Sequence, residues 1–288
     1  MLAAITALLR ARQLLKVDEE PGYNITVISE HLIHISAYAD SGAQFHIKVK
    51  ECGRWPNEYA NYCDAERIYP QCIPEVLARE FRNDREVIVF RGIPHRRIPA
   101  GSITRSGRRL RGEIVRFFQT SGKAALVIEP VAPHRVFLRH LQERITDGIC
   151  ATIVRDWTES VHLAALPFIR QHGDLVLNNL GLTGAGLVVF DWEDFGLIVL
   201  PGLDLCTLLA SDTEFNSVKL LAIMNGHHNP SDSFAVLLDQ SCKAIGLTPE
   251  LFRQLIPLYL VIFLDLKREY GLAIADTVRN LIHEIAKR

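Results

Sequence analysis

His172-Gly-Asp-Leu-Val-Leu-Asn-Asn-Leu180, followed by Leu187-Val-Val-Phe-Asp-Trp-Glu193 and then Pro201-Gly-Leu-Asp-Leu205, decides how this chain is read. Three polar residues within it, Asp174, Asn179 and Asp191, stand at spacings that suit chemistry on phosphates. Phosphoryl transfer asks little of a protein beyond positioning, a carboxylate beside the attacking hydroxyl, and oxygen ligands that hold Mg²⁺ on the phosphates. Asp174 and Asn179 share a short predicted loop, and Asp191 follows an apolar run that reads as a strand delivering its carboxylate at the exit. Thr183-Gly-Ala-Gly186 between them is a hairpin signal. Each residue taken singly is equally at home in a turn, where Asp and Asn side chains bond their own backbone. The combination is what points to a site.

His-Gly-Asp, an Asn five residues after the Asp, Asp-Trp-Glu, and Pro-x-x-Asp-Leu together resemble the aminoglycoside phosphotransferase and choline kinase-like family. The resemblance implies an α+β, bilobal protein-kinase-like fold and ATP-dependent transfer of the γ-phosphate to a hydroxyl of a small molecule, with GTP open as the alternative nucleotide. Carried over by residue, it implies Asp174 as the general base and Asn179 and Asp191 as the Mg²⁺ ligands. Asp204 would brace the catalytic loop through backbone hydrogen bonds, with His172 as a structural neighbour.

The 288 residues, 48% of them hydrophobic, are enough for one large domain or a two-lobed one. A formal charge of −1 gives no bulk preference for nucleic acid or an anionic membrane. Cysteines at 52, 63, 72, 150, 206 and 242 form no Cys-x-x-Cys pair or zinc spacing, so they read as thiols of a reduced, cytoplasmic protein. Leu2, Ile5, Leu8 and Leu9 recur at helical spacing, continuing to Leu14 and Leu15, which predicts an amphipathic helix docked on the domain or on a partner. The apolar run Leu258 to Leu264 is too short for a membrane span and fits a buried helix opened by Thr248-Pro249-Glu250.

Two textures divide the chain. Residues 1–90 carry four or five alternating, β-branched stretches and one helical interval from Asn57 to Tyr69, which suggests a small antiparallel sheet as a nucleotide-binding lobe. Residues 91–101, with two prolines and two glycines, read as a hinge. Residues 102–288 are mostly helical and would hold the catalytic loop and the acceptor site.

A kinase-like small lobe needs a strand Lys to contact phosphates and a helix Glu to hold it. In Phe45-His-Ile-Lys-Val-Lys50, the apolar residues share one face, leaving Lys48 and Lys50 on the other. The resemblance picks Lys48, although both lysines would also suit a solvated edge strand. Glu58 fits the partner position at the predicted helix start beside Pro56-Asn57, with Glu66 as an alternative. A two-residue Ser41-Gly42 turn would pair Lys48 with Ile35 and make an apolar adenine surface of Ile33, Ile35 and Ala37. The strand end at Phe90 and Arg91 would supply hinge contacts to the nucleotide.

The predicted first link of the sheet, Ser29-Glu30-His31, has no glycine, whereas a kinase lobe uses a glycine-containing loop there to cover the phosphates. That departure keeps a catalytically silent binding module in view. Arg91, Arg96, Arg97, Arg105, Arg108, Arg109, Arg111 and Arg116, with Glu113 the sole acid between them, suggest a solvated helix face or capture of an anionic group on the acceptor or on a peptide or protein partner. No aromatic interleaving supports nucleic-acid binding. His227-His228 before Asn229-Pro230 reads as a turn.

Overall fold

The computed structural model describes residues 1–53, 58–105, 108–125, 133–226, 233–267 and 273–287. Its first part is a five-stranded antiparallel sheet in the order β1-β2-β3-β5-β4, formed by Gly22–Ser29 (β1), Leu32–Tyr38 (β2), Gln44–Glu51 (β3), Val76–Arg82 (β4) and Arg85–Arg91 (β5). Alternation gives the sheet two faces. Ile35, Ala37, Phe45, Ile47, Val49, Val87 and Val89 turn to one side, where they meet Ile5, Leu8 and Leu9 of helix α1 (Leu2–Ala11) in a core of their own. The N-terminal helix read from the sequence is therefore docked on this sheet. Helix α2 (Glu58–Ile68) joins β3 to β4 and packs on the opposite, cleft-facing side through Tyr62 and Ala65, which share a cluster with Ile88 and Phe90.

One expectation about this sheet fails. The β2–β3 turn is a three-residue loop, Asp40-Ser41-Gly42: Ala39 N–H donates to Ala43 O, Gly42 N–H donates to Ala39 O, and Gly42 sits at φ 85°. Only a glycine adopts that backbone without strain. The extra residue moves the register by one, so Lys48 pairs with His34 and Ile35 pairs with Ile47. Because a slip of one residue exchanges the two faces of a strand, Ile35 is fully buried against α1, away from the cleft. Ile33, Ile35 and Ala37 therefore do not form an adenine surface; His34, Ser36 and His46 occupy that face, lining the cleft with Lys48. Lys48 and Lys50 lie on a central strand, not an edge.

Past β5 the chain runs through a two-residue strand (β6, Arg96–Arg97) into helices α3 (Ser102–Arg105) and α4 (Arg108–Lys123), α5 (Pro133–Arg144) and α6 (Gly148–Glu159). The hairpin β7 (Leu180–Leu182) and β8 (Leu187–Val189) pairs with β6, and its turn closes where Thr183 N–H donates to Gly186 O. Helices α7 (Leu203–Asp212), α8 (Ser217–Met224), α9 (Ser233–Ala244), α10 (Pro249–Lys267) and α11 (Ala273–Ala286) follow. Helix α10 is the centre of this half: Leu258 through Phe263 are all buried, and it packs on α6, α7, α9 and α11. Thr248 caps it by accepting from Leu251 N–H, with Pro249 in the first turn. Asp212 at the end of α7 accepts from Ile103 and Thr104 N–H, pinning the start of α3 and so the end of the linking segment. No single described helix is long and apolar enough to cross a membrane.

Candidate active site

The predicted catalytic loop is held from below by Asp204. Its carboxylate accepts from His172 N–H at 2.7 Å and from Gly173 N–H at 3.0 Å, and its own N–H donates to Gln171 Oε1. Burial pushes the Asp204 carboxyl up to about 7 against the pull of those two amides. Gly173 has φ 90°, and a Cβ there would lie 2.7 Å from the Cβ of Asp194, so the His-Gly-Asp turn requires glycine on both conformational and steric grounds. His172 is buried and neutral: its Nε2–H donates to Phe190 O at 2.8 Å while Nδ1 accepts from Asp174 N–H. The imidazole thus ties the loop to the strand that carries Asp191. Trp192, fully buried beside it, donates to Val189 O.

These supports bring the polar residues together. A short 3₁₀ turn, Leu177–Asn179, returns Asn179 to the loop, where its side-chain N–H donates to Asp174 O at 2.9 Å and to Asp174 Oδ2 at 3.2 Å. Asn179 O accepts from Phe190 N–H, which sets the spacing to the Asp191 strand exit. Asp191 itself adopts φ 63°, a left-handed conformation unusual outside glycine, and its N–H donates to the Tyr62 hydroxyl of α2. Its carboxylate bonds the Lys48 ammonium, which also donates to Glu58 at 2.6 Å.

Glu58 is wholly buried and takes both lysines, with Lys50 at 3.0 Å on its other oxygen. Both candidate lysines are therefore used, and Lys48 is the one joined to Asp191; Glu66 is exposed and outside the cluster. Residues Pro56 and Asn57 lie outside the described residues. Burial would lower the Lys48 pKa, but Asp191 and Glu58 raise it well above the ordinary value. Burial likewise raises Asp191, and the Lys48 charge and hydrogen bond more than offset it, leaving a carboxyl at about 2. Asp191 is an anion at any working pH.

Two connected cavities meet at this cluster. One of about 830 Å³ runs from Lys48 and Asp191 past His34, His46 and Tyr62 to Phe90, Arg91 and Gly92, so the proposed strand-end contacts do line it. Phe90 packs with its ring centroid 4.6 Å from that of Tyr62, tilted by 43°, whereas the Arg91 side chain turns out to Glu75. The other, about 540 Å³, holds Lys48, Asp174 and Asp191 on one side and Val176, Ser211, Phe215, Phe263 and Ile274 on the other. The link ahead of it is tight, as read: Ser29 pairs directly with Leu32, and His31 is held between Glu30 and Glu51.

Sequence reasoning missed three members of the site. Tyr62 carries no motif, His34 enters through the shifted register, and Lys267 arrives from the end of α10. The Lys267 ammonium lies 2.9 Å from Asp174 Oδ2 and 3.9 Å from Asp194 Oδ2. Only its position after the apolar helix could have signalled it. Within the arginine cluster, buried Arg111 donates to Ile103 O, while exposed Arg109 donates to the carbonyls of Thr183 and Gly184 and exposed Arg116 pairs with Glu113. None of these lines the cavity that holds Asp174. The His227-His228 pair lies outside the described residues.

As a metal donor set, Asp191 and the Asn179 amide offer two hard oxygens, and the described residues contain no group of three or more His, Cys, Asp or Glu placed to hold an ion. Two such oxygens suit Mg²⁺, which keeps waters and substrate phosphates as most of its ligands.

No family model matches the sequence, and no curated protein sequence matches it. Solved structures do match over essentially the whole chain. An amicoumacin kinase in complex with AMP-PNP, Ca²⁺ and Ami is 13% identical with a TM-score of 0.61, covering 100% of this chain and 96% of that one. A macrolide 2′-phosphotransferase type I is 13% identical at 0.61, covering 98% and 96%. A thermostable mutant of an aminoglycoside phosphotransferase, in ternary complex with ADP and hygromycin B, is 13% identical at 0.59, covering 98% and 97%. At such identities the likeness is one of fold, and it extends through both the sheet and the helical half. This chain has the bilobal α+β fold of the aminoglycoside phosphotransferase-like kinases.

Proposed function

We propose that the protein is a kinase that moves the γ-phosphate of ATP to a hydroxyl of a small molecule. The observation that carries this reading is the convergence of Asp174, Asn179, Asp191 and Lys48, drawn from three separate stretches of chain, on one cleft with hydrogen bonds linking them in pairs. The larger cavity suits the nucleotide, its base toward Phe90 and the backbone of Arg91 and Gly92, its phosphates toward Lys48. Asn179 and Asp191 would hold Mg²⁺, whose charge offsets that of the phosphates. Asp174 then takes the hydroxyl proton of an acceptor seated in the smaller cavity. Retention of every one of these groups in bonded positions favours an active enzyme over a silent module.

The structures of like fold come from proteins that are named for, or bind, hydroxyl-bearing antibiotics. Such natural products are the first acceptors to try. A peptide acceptor, the alternative suggested by the Arg-rich segment and the apolar N-terminal helix, has less support, since that helix docks on the sheet of its own chain and the structures of like fold are those of antibiotic phosphotransferases.

The test is thermal unfolding with ATP or GTP, each with and without Mg²⁺, for the protein and for Asp191→Ala. Nucleotide at about 100 times its Kd adds about 2.7 kcal/mol. Mg²⁺-dependent stabilisation that vanishes in the variant is expected; no shift with either nucleotide would remove the kinase reading.

A further inference from the structure

Lys267 ends helix α10, far in sequence from the catalytic loop, yet its ammonium reaches the same oxygen of Asp174 that the Asn179 amide holds. It is only 8% exposed, and its neighbours include Asp194 and, at 5.6 Å, the ring of Phe263. It also lines the cavity that contains Asp174, Asp191 and Lys48. Burying an ammonium is costly unless charges of opposite sign compensate it, and among the carboxylates that do so here Asp174 is nearer than Asp194 and is the one assigned to the chemistry. The four residues between Asp174 and Asn179 are Leu, Val, Leu and Asn, so the loop itself brings no cation to this place.

We infer that Lys267 is the positive charge on the acceptor side of the reaction: it holds Asp174 by Oδ2, leaving Oδ1 for the acceptor hydroxyl, and neutralises the phosphoryl group as it reaches that hydroxyl. This rests on the kinase reading above. In the transfer, the hydroxyl oxygen bonds to the γ-phosphorus as the bond from that phosphorus to the β–γ bridging oxygen breaks. The hydroxyl proton passes to Asp174, and the bridging oxygen leaves with the electron pair on ADP. An acceptor oxygen hydrogen-bonded to Asp174 sits one carboxylate away from the Lys267 ammonium, so the phosphoryl oxygens arrive within reach of a second donor. A fixed cation aimed at charge that accumulates only in transit stabilises the transition state more than the ground state. Lys48 cannot serve there, because Glu58 and Asp191 hold it on the nucleotide side.

The test needs no known acceptor. Mg²⁺-ADP alone mimics the ground state, and Mg²⁺-ADP with tetrafluoroaluminate mimics the phosphoryl group in flight. Calorimetric titration of the intact protein, Lys267→Met and Lys267→Arg should show Mg²⁺-ADP affinity unchanged within about twofold in all three. The extra affinity conferred by fluoroaluminate should fall about tenfold or more in the Met variant, the range for a lost charge-assisted hydrogen bond, and largely return in the Arg variant. Equal fluoroaluminate affinity in all three would overturn the inference. So would parallel loss of Mg²⁺-ADP affinity and melting temperature in the Met variant, which would make Lys267 a structural brace. Failure of the intact protein to bind Mg²⁺-ADP is a separate result that sinks the kinase reading itself.

Discussion

Lys48 and Lys267 are both buried ammonium groups bound to a carboxylate of the same cleft, and they get there by opposite routes. Lys48 sits in mid-strand, with hydrogen-bonded neighbours on β2 and β5 and its head bonded to α2 and to the strand exit at Asp191. Lys267 is the last residue of a long helix, and its position depends on how α10 packs on α6, α7, α9 and α11. The first lysine ties the sheet to the phosphate end of the site; the second ties the helical core to the acceptor end. In the proposed reaction each half would therefore have its own cation, fixed by its own kind of secondary structure.

Single substitutions should separate these halves. Asp191→Ala is expected to have the largest effect. It removes a proposed metal donor and leaves Lys48 without one of its two carboxylates, so both Mg²⁺-dependent nucleotide stabilisation in a melt and turnover should go. Asp174→Asn should spare nucleotide binding and cost on the order of 10²–10⁴ in rate, measured as ATP consumption with an acceptor in hand. Equal loss of nucleotide affinity in the two variants would mean that the halves are not separable.

Lys48→Met probes the strand-borne half through stability. Glu58 has no exposure, and breaking a buried ion pair typically costs about 3–5 kcal/mol. Lys50 remains on the other Glu58 oxygen and Glu86 remains beside Lys50, so a loss at or below the low end of that range is expected by denaturant titration. Lys50→Met should cost a similar amount while leaving the nucleotide-dependent shift in place; loss of that shift would exchange the roles of the two lysines.

The same contrast explains what could be read from the sequence. Asp174, Asn179 and Asp191 were legible because local chain sets their relations: a turn, a hairpin and a strand exit within twenty residues. Lys48 and Glu58 were legible as a strand face and a helix start. Ile35 was assigned to the cleft on a turn one residue too short, and Gly42, whose positive φ admits the third loop residue, was the clue that counted the other way. Tyr62 carried no signal, and Lys267 only its place at the end of the apolar helix. Their places follow from helix packing across the domain, which no local periodicity encodes; for the arginines the solvated-face reading fits exposed Arg108, Arg109 and Arg116, while the carbonyl partners of Arg109 and Arg111 in the β7–β8 turn and α3 were hidden for the same reason.

The register correction itself has a pH signature, the smallest of these effects. It places His34 and His46 on the cleft face, their rings 5.2 Å apart in an edge-on contact. Burial, then the charge of its neighbours His34 and Lys48, lowers His46 to about 4, and burial lowers His34 as well. An unfolded histidine takes up its proton near pH 6.5. Between that value and about 4 the unfolded chain binds more protons at this position, so stability is lost as pH falls from 7 toward 4. Buried Asp204, Glu193 and Asp194, raised to about 7, about 7 and about 6, act in the opposite direction over the same range. The histidine contribution is therefore isolated by difference. His46→Asn should lie closer to the intact protein at pH 7 than at pH 5, where the variant gains on the order of 1 kcal/mol, or about 2 °C in the melt. A pH-independent difference would mean that His46 is open to solvent and that the cleft face of β3 is not closed over it.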